Sequence, residues 1–324
     1  MRRTRSTTAT ARISHIELVV PAALLALPII ALAGCGDSRT ETSAAQPAPA
    51  VSEPVVVAKS EPTEPVIPDT VTYAQAESVY NQRRYADAAR MFEVYTRNRP
   101  DNPWGHYMLG LSSWKAGDFT VAEAAFLSAL ERDPGHVKSM LNLSRVLLDA
   151  SRPKEALERV TVALETDPES ADAHRLMGRV RTTLGQHEEA LESYRQALSI
   201  DEEDVWSMNN MGLLFIQTGR YEEALRPLAR AIQLRDDVAV FHNNLGIALE
   251  RTGHFSKASE SYRAALAVDS TYEKAKVSLA RVEQRLESST TPAIDVGALG
   301  DSFSADVRRW RDERVVASTP VQQP

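Results

Sequence analysis

The sequence contains a single cysteine, Cys35, among its 324 residues. An internal disulfide is therefore excluded, and so are zinc sites built from several cysteines. The chain also lacks an excess of basic residues, because 37 lysines and arginines stand against 44 aspartates and glutamates, which gives a net charge of −7. This acidic balance argues against a surface that binds nucleic-acid phosphates without regard to sequence.

The motifs of several common enzyme classes are also missing. There is no glycine-rich phosphate loop, no GxSxG nucleophile elbow and no HExxH zinc helix. His187-Glu188-Glu189 lacks the second histidine of a metalloprotease helix, and acidic pairs such as Glu222-Glu223 suit helix starts, where negative charge complements the helix dipole. We therefore predict no catalytic residue, no metal, no cofactor and no small-molecule substrate, and expect that the protein is not an enzyme.

The first 34 residues are typical of a bacterial secretory signal. Four arginines among the first twelve residues precede an apolar run from about residue 18 to residue 33. This run of about 16 residues is broken by Pro21 and Pro28 and is short for a membrane span. The letters LAGC, which end at Cys35, resemble the lipobox of bacterial lipoproteins. The resemblance implies cleavage before Cys35, a diacylglyceryl thioether on its sulfur, and acylation of its new amino group with a fatty acid such as palmitate.

Other fates of this segment stay open. Ala31-Leu32-Ala33 also fits the A-x-A rule for an ordinary signal peptidase, which would give a free periplasmic protein, and an uncleaved anchor is a further alternative. In lipoproteins of enteric-type bacteria, an aspartate directly after the cysteine tends to retain the protein in the inner membrane. Here Gly36 stands at that position and Asp37 follows. We therefore expect a lipid-anchored protein of the cell envelope at the outer membrane, facing the periplasm, with the inner membrane as the alternative.

Residues 35–68 are predicted to be a disordered, lipid-anchored linker. Prolines recur among serine, threonine, alanine, glutamate and valine, and such a segment buries too little apolar surface to offset its loss of conformational entropy on ordering. A coil of about 33 residues spans roughly 30–35 Å on average, and its prolines could extend it toward about 100 Å. The linker would hold the folded part away from the bilayer.

From residue 69 onward the chain repeats every 34 residues. Six copies fit without insertion or deletion, at 69–102, 103–136, 137–170, 171–204, 205–238 and 239–272. The eighth residue of each copy is small: Ala76, Gly110, Ser144, Gly178, Gly212 and Gly246. The twentieth is always alanine, and the twenty-fourth is large: Phe92, Phe126, Val160, Tyr194, Leu228 and Tyr262. A fixed period of this length indicates a helical repeat array, in which the small residues let two antiparallel helices approach closely.

This pattern resembles the tetratricopeptide repeat (TPR), with its small eighth residue, alanine at twenty, aromatic residue at twenty-four and proline at thirty-two. The resemblance implies an all-α fold, a right-handed superhelical solenoid of six TPR helix pairs. The proline column is kept in the first three copies and lost in the last three, where Glu202, Asp236 and Ser270 stand. Residues 273–288 are predicted to form a helix that caps the exposed end of the stack. Residues 289–324 are expected to be a mostly disordered tail, whose short amphipathic stretch at 303–316 could form a helix.

The resemblance also implies a binding surface, because the first helix of each TPR pair lines the concave face. Positions two, five, six and nine of each copy then point into a groove. The residues predicted there to bind a partner are Asn142, Arg145, Arg175, Arg179, Asn209, Asn210, Asn243, Asn244 and Lys274, beside Trp104, Tyr107, Lys138 and Trp206. The asparagines could form a ladder of donors and acceptors for an extended peptide, and the arginines a positive patch. Alternatively, the asparagines only solvate a groove that holds no ligand.

A carboxylate clamp, by which some TPR domains hold chaperone C-termini, is incomplete here because Leu213 and Ser278 interrupt it. The features together favour a membrane-anchored adaptor or scaffold that binds a protein partner, either an extended peptide or an envelope-assembly component. Its plan resembles TPR lipoproteins of the outer membrane, such as the pilotins of type IV pili and adaptors of peptidoglycan hydrolases. The alternative is a regulatory or substrate-presenting subunit of a separate cell-envelope enzyme.

Overall fold

The computed structural model describes residues 67–286 and 292–318, and within these ranges every regular element is a helix. The predicted signal segment, the lipid site at Cys35 and almost all of the predicted linker lie outside the described residues. None of the described helices is long and apolar enough to cross a membrane.

Twelve of the described helices form six pairs, each with a first helix (helix A) and a second helix (helix B). The A helices are α1 (Tyr73–Asn81), α3 (Pro103–Ala116), α5 (Val137–Asp149), α7 (Ala171–Thr183), α9 (Val205–Gln217) and α11 (Ala239–Arg251). The B helices are α2 (Tyr85–Asn98), α4 (Phe119–Arg132), α6 (Pro153–Thr166), α8 (His187–Ile200), α10 (Tyr221–Leu234) and α12 (Phe255–Val268). Five of the six A helices begin at the first residue of a predicted copy, so the predicted array of six helix pairs is confirmed.

The turn between helix A and helix B has the same backbone conformation in every copy. The fifteenth residue of every copy lies in this turn and has a positive φ, between 59° and 89°. Glycine supplies this left-handed conformation in four copies, where the absence of a Cβ removes the steric cost. Arg83 and Ser151 adopt it in the first and third copies, with φ values of 62° and 59°.

Small and large columns meet in the core of each pair. Where the eighth residue of a copy is glycine, it lies directly against the large twenty-fourth residue of the same copy, as Gly178 on helix A lies against Tyr194 on helix B. A Cβ added to Gly178 would lie 2.5 Å from a ring carbon of Tyr194. Since Tyr194 is 1% exposed and cannot swing into solvent, only glycine fits there.

The array curves toward its A helices. Neighbouring A helices contact one another along the whole series from α1 to α11, more closely than neighbouring B helices do in the described part. The A helices therefore form the inner, concave face, and the B helices form the outer face. This arrangement agrees with the side that the TPR resemblance assigned to the groove.

A thirteenth helix, α13 (Glu273–Glu283), packs on α12 and ends the stack, as the sequence predicts. Ala275 and Val282 face the array and are fully buried. Glu250 of α11, which is 8% exposed, accepts hydrogen bonds from Arg281 of the cap at 2.7 and 2.8 Å and from the Tyr262 hydroxyl at 2.8 Å. Burial acts to raise the pKa of Glu250, but these hydrogen bonds outweigh it and the pKa is lowered. The charged carboxylate thus fixes the cap on the last copy.

The tail differs from the sequence-based expectation. Residues 296–318 form a 23-residue helix, α14 (Val296–Ser318), which contains the predicted stretch 303–316 and folds back against α10 and α8. The expectation of a mostly disordered tail therefore does not hold for these residues. The physical reason is tertiary: Phe303 and Val307 are 4% and 1% exposed against the B helices, and Arg226 of α10 donates hydrogen bonds to Ser302. The local sequence does not predict a contact between two residues that lie 76 positions apart in the chain.

Candidate functional site

The inner face carries two clefts that join into one groove. The first cleft, of about 440 Å³, is lined by α3 and α5 and reaches Asp172 of α7. The second, of about 630 Å³, is lined by α7 and α9 and reaches back to α3 and α5. Lys115, Arg145 and Asp172 line both clefts. We call this continuous surface from α3 to α9 the groove.

Alternating charges cross the floor of the groove. Arg145 binds both oxygens of Asp172, at 2.7 and 2.6 Å, and donates to the Asn142 amide oxygen at 2.7 Å. Arg175 pairs with the same Asp172 and donates to Asp204 at 2.8 Å. The chain of ion pairs links α5, α7 and the start of α9, so two of the three predicted arginines are held in fixed positions by carboxylates.

Asp204 anchors the end of this chain. Its carboxylate caps α9 by accepting the Trp206 and Ser207 backbone N–H groups, and it accepts the Ser207 hydroxyl at 2.6 Å. With the bond from Arg175, this 5%-exposed carboxylate is fully used within the protein. Asp204 therefore positions Arg175 and leaves no capacity for a ligand.

The predicted asparagine ladder is mostly internal. Asn142, Asn209, Asn243 and Asn244 are between 3% and 6% exposed, and Asn142 donates to the Tyr107 hydroxyl of the neighbouring A helix. Asn244 donates to Asn209 at 2.8 Å across two copies. The expectation of an open ladder is corrected accordingly: Asn210 is partly exposed and lines the second cleft, while the buried asparagines bond mainly to the protein. The Asn243 amide oxygen is buried without a partner among the described atoms.

Other predicted residues divide between the groove and its surroundings. Arg179 is exposed in the second cleft and makes no ion pair within the described residues. Trp206 lines the same cleft with 41% of its surface exposed and packs edge-on against Phe241. Lys274 is exposed on α13 and lines neither cleft.

At the other end of the groove, two lysines lie over tryptophan rings. Trp104 is 44% exposed, and the Lys138 Nζ lies 5.3 Å from the centre of its ring. Lys115 Nζ lies 4.8 Å from the centre of the Trp114 ring, within the range of a cation–π contact. Tyr107 lines the first cleft, and burial raises the pKa of its hydroxyl, which stays neutral and receives the Asn142 amide at 3.3 Å.

Three charged or aromatic residues of the groove were missed from the sequence: Trp114, Lys115 and Asp172. Asp172 stands at position two of its copy, in the same column as Trp104 and Trp206, so a signal was available. Trp114 and Lys115 stand at positions twelve and thirteen, one helical turn beyond the columns considered. Because position thirteen lies four residues after position nine, it continues the same face of helix A.

The histidines at position four of three copies have a structural role. Nε2 of His106, His174 and His242 lies 2.8, 3.0 and 2.7 Å from the carbonyl oxygen six residues earlier. Each ring thereby ties the loop from the preceding copy to helix A. Within the described ranges, no three histidine, cysteine, aspartate or glutamate side chains are grouped so that they could hold a metal ion.

The described part is thus a helical-repeat solenoid with a groove on its inner face. Family models of the tetratricopeptide repeat match residues 73–137, 113–180, 178–219, 212–253 and 239–278, and so follow each other through the array. The chain belongs to the tetratricopeptide repeat family.

Solved structures give the same fold. A thermophilic TPR protein of Thermus thermophilus, TTC0263, superposes with a TM-score of 0.50 at 19% identity, over 56% of this chain and 99% of that one. Pseudomonas aeruginosa pilF superposes with a TM-score of 0.53 at 18% identity, over 68% of this chain and all of that one. The Cut9–Hcn1 hetero-tetramer of APC/C gives 0.57 at 14% identity, over 72% of this chain and 46% of that one. No curated protein matches this chain significantly in sequence. At these identities the structures establish the fold alone.

Proposed function

We propose that this protein is a lipid-anchored scaffold of the bacterial cell envelope, which holds a segment of a partner protein in the groove. One observation carries the proposal: the groove combines open volume with exposed aromatic and cationic side chains. Trp206 and Arg179 stand exposed in the larger cleft, and Trp104 stands exposed near the smaller one. Exposed tryptophan and arginine are the side chains that contribute most to protein interfaces.

The position of α14 also supports the groove as the binding surface. The apolar side of α14 is already committed within the chain, because Phe303 and Val307 are buried against the B helices. Arg311 and Arg314 pair with Glu202 and Glu169 in the loops between copies. A partner that needed the apolar side of this helix would first have to displace it, whereas the groove is open without rearrangement.

Anchoring and location rest on the sequence around Cys35. The proposed lipid would hold the scaffold at the outer membrane, and the linker would let the groove reach partners in the periplasm. The likeness to pilF is one of fold. We propose that the chain has no enzymatic activity of its own, since binding through the groove requires none.

Photo-crosslinking in cells tests the use of the groove. A photoreactive amino acid is placed in the full chain at Asn210 or Arg179 in the groove, and at Lys154 or Arg159, which are exposed on α6 of the outer face. We expect both groove positions to crosslink to the same protein and both α6 positions to give no such adduct. An adduct of equal yield from α6, or none from the groove, would contradict the proposal.

The anchor is tested separately with Cys35→Ser. Cells are fed an alkyne analogue of palmitate, and the protein is fractionated and examined by mass spectrometry. The wild type should carry the label, start at Cys35 and sediment with membranes, and the variant should remain unlabelled. An unlabelled wild type in the soluble periplasmic fraction would instead indicate cleavage by an ordinary signal peptidase.

A further inference from the structure

We propose that the partner segment held in the groove is acidic and extended, about nine residues long, with its carboxylates facing Lys138, Lys115 and Arg179. This inference rests on the proposed function, because it specifies the chemistry of the segment that the groove holds.

The groove is locally positive on an acidic chain. Five cations line its two clefts: Lys115, Lys138, Arg145, Arg175 and Arg179. Three carboxylates contact the residues of these clefts: Asp172 also lines both clefts, Asp204 pairs with Arg175, and Asp149 accepts the Trp114 indole N–H at 2.9 Å. Five positive charges against three negative ones leave an excess of two, whereas the whole chain carries −7. Charge complementarity therefore favours an anionic occupant.

The cations have different roles. Arg145 and Arg175 are bound by Asp172 and Asp204 and form the floor. By contrast, Lys115, Lys138 and Arg179 are exposed and make no ion pair with any described residue. The two lysines lie against tryptophan rings, which restrain their ammonium groups at the groove without neutralising them. Free cations on a preformed surface are available to bind carboxylates.

Their spacing indicates an extended segment. The free cations stand on three successive A helices, Lys115 on α3, Lys138 on α5 and Arg179 on α7, and Trp206 follows on α9. Neighbouring packed helices are about 10 Å apart, so the groove from α3 to α9 is about 30 Å long. An extended chain rises about 3.3 Å per residue and needs about nine residues to cover this length. A folded partner would meet only part of it.

Nucleic acid is the other anionic polymer with this reach. The net charge of −7 disfavours it, because a nucleic acid extends beyond the groove and its phosphates would meet the acidic remainder of the protein. A short acidic peptide avoids this repulsion by ending where the positive region ends. The experiment includes a nucleic acid so that this choice is tested.

The test is a selection from a random decapeptide library on the purified full-length protein in detergent. Lys115→Glu/Arg179→Glu reverses two free cations of the groove, and Lys154→Glu/Arg159→Glu makes the same change of charge on the outer face. Each substituted residue is exposed, so both variants should fold, which circular dichroism melting checks. Selected peptides are then labelled and their affinities measured by fluorescence polarisation at 0.05 and 0.5 M salt (roughly a threefold change in Debye length).

We expect the selected peptides to be enriched in aspartate and glutamate, and their affinity to fall at least about tenfold in the groove variant and at high salt. The outer-face variant should bind within about twofold of wild type. Selected peptides that are neutral or basic, yet are lost from the groove variant, would overturn the acidic-segment inference while the proposed function stands. If the selected peptides bind the groove variant with the affinity of the wild type, or if no peptide is selected, the acidic-segment inference and the proposed function are both overturned. A labelled 20-nucleotide single strand that binds through the same lysine and arginine more tightly than any selected peptide would also overturn the inference.

Discussion

At the scale of single residues, the left-handed turn of the third copy contains strain that a glycine would avoid. Ser151 holds this conformation with φ 59°, and its column has glycine in four other copies. A left-handed backbone costs a residue with a Cβ about 1–2 kcal/mol, and glycine avoids most of that cost. The third copy is therefore less stable in its turn than its neighbours.

Ser151→Gly should raise the free energy of unfolding by about 1 kcal/mol, measured by urea denaturation. Gly185→Ala is the matched opposite change at the same position of the fourth copy, where nothing lies within 4 Å of an added Cβ. It should lower the free energy of unfolding by about the same amount, through the backbone alone. A destabilising Ser151→Gly would show that the serine side chain makes a contribution larger than the strain.

Two of the position-four histidines predict a pH dependence. Burial lowers the pKa of His106 and His174, and it outweighs the opposite effect of their bonds to the carbonyls of Pro100 and Pro168. The unfolded chain, with a histidine pKa near 6.5, then binds more protons than the folded chain just below that value. Stability contributed by the neutral rings is present above pH 6.5 and is lost as the pH falls through the lowered folded values.

We therefore expect the melting temperature to fall between pH 6.5 and pH 5, where most carboxylates are still ionised. His106→Gln/His174→Gln should melt with a weaker dependence on pH over the same range, since glutamine keeps a donor for the carbonyl and does not titrate. An unchanged slope in this variant would assign the effect to other groups.

At the scale of elements, α14 joins parts of the array that are distant in sequence. Arg226 of α10 holds its first half, and Arg311 reaches Glu202 between the fourth and fifth copies. Glu202 stands in the column where the first three copies have proline. Its departure from the TPR pattern thus coincides with a contact to α14, and this helix braces the outer face opposite the second cleft.

Val307→Asp should release α14, because it would place a charge at a position that is 1% exposed. Hydrogen exchange should then speed up throughout residues 296–318 and in the parts of α8 and α10 beneath them. Val316→Asp is the matched control on the same helix, since Val316 is 75% exposed, and it should leave exchange unchanged. Equal protection of α14 in both variants would contradict the packing described above.

At the scale of the whole molecule, the six helix pairs are held together by contacts between neighbouring copies, and α14 adds a brace across the fourth and fifth. Each pair packs on the pairs before and after it, and α13 ends the series. In such a solenoid, stability is approximately a sum over copies and the interfaces between them. A break in the middle should therefore separate the two halves instead of unfolding the protein as one unit.

Gly178→Val tests this view, because its Cβ would lie 2.5 Å from the buried Tyr194 ring. We expect a loss of roughly 3 kcal/mol in the fourth copy and two unfolding transitions in place of one, seen by hydrogen exchange across a urea series. Gly135→Ala, where the nearest atom to an added Cβ is 3.5 Å away, should unfold like wild type. A single sharp transition in Gly178→Val would show cooperativity beyond nearest neighbours.

The groove was predictable in outline and not in detail. Position within the repeat places Arg179, Trp206 and Asn210 on the inner face, and the structure agrees. The same columns also suggested an open asparagine ladder, but Asn209 and Asn244 bond to each other and are buried. Column position gives the direction of a side chain from its helix, whereas exposure depends on how close the next helix lies.

The sequence by itself determined the six helix pairs and the first residue of five of the six A helices. These features depend on contacts within one or two copies, and the period shows them six times over, so local chemistry is sufficient. Only the tertiary structure decided which groove cations are free, through the pairing of Asp172 and Asp204 with two arginines, and where the tail lies. Both outcomes depend on side chains that come together from different copies, or from positions 76 residues apart in the chain. A pattern within one copy does not predict contacts between residues so far apart in sequence.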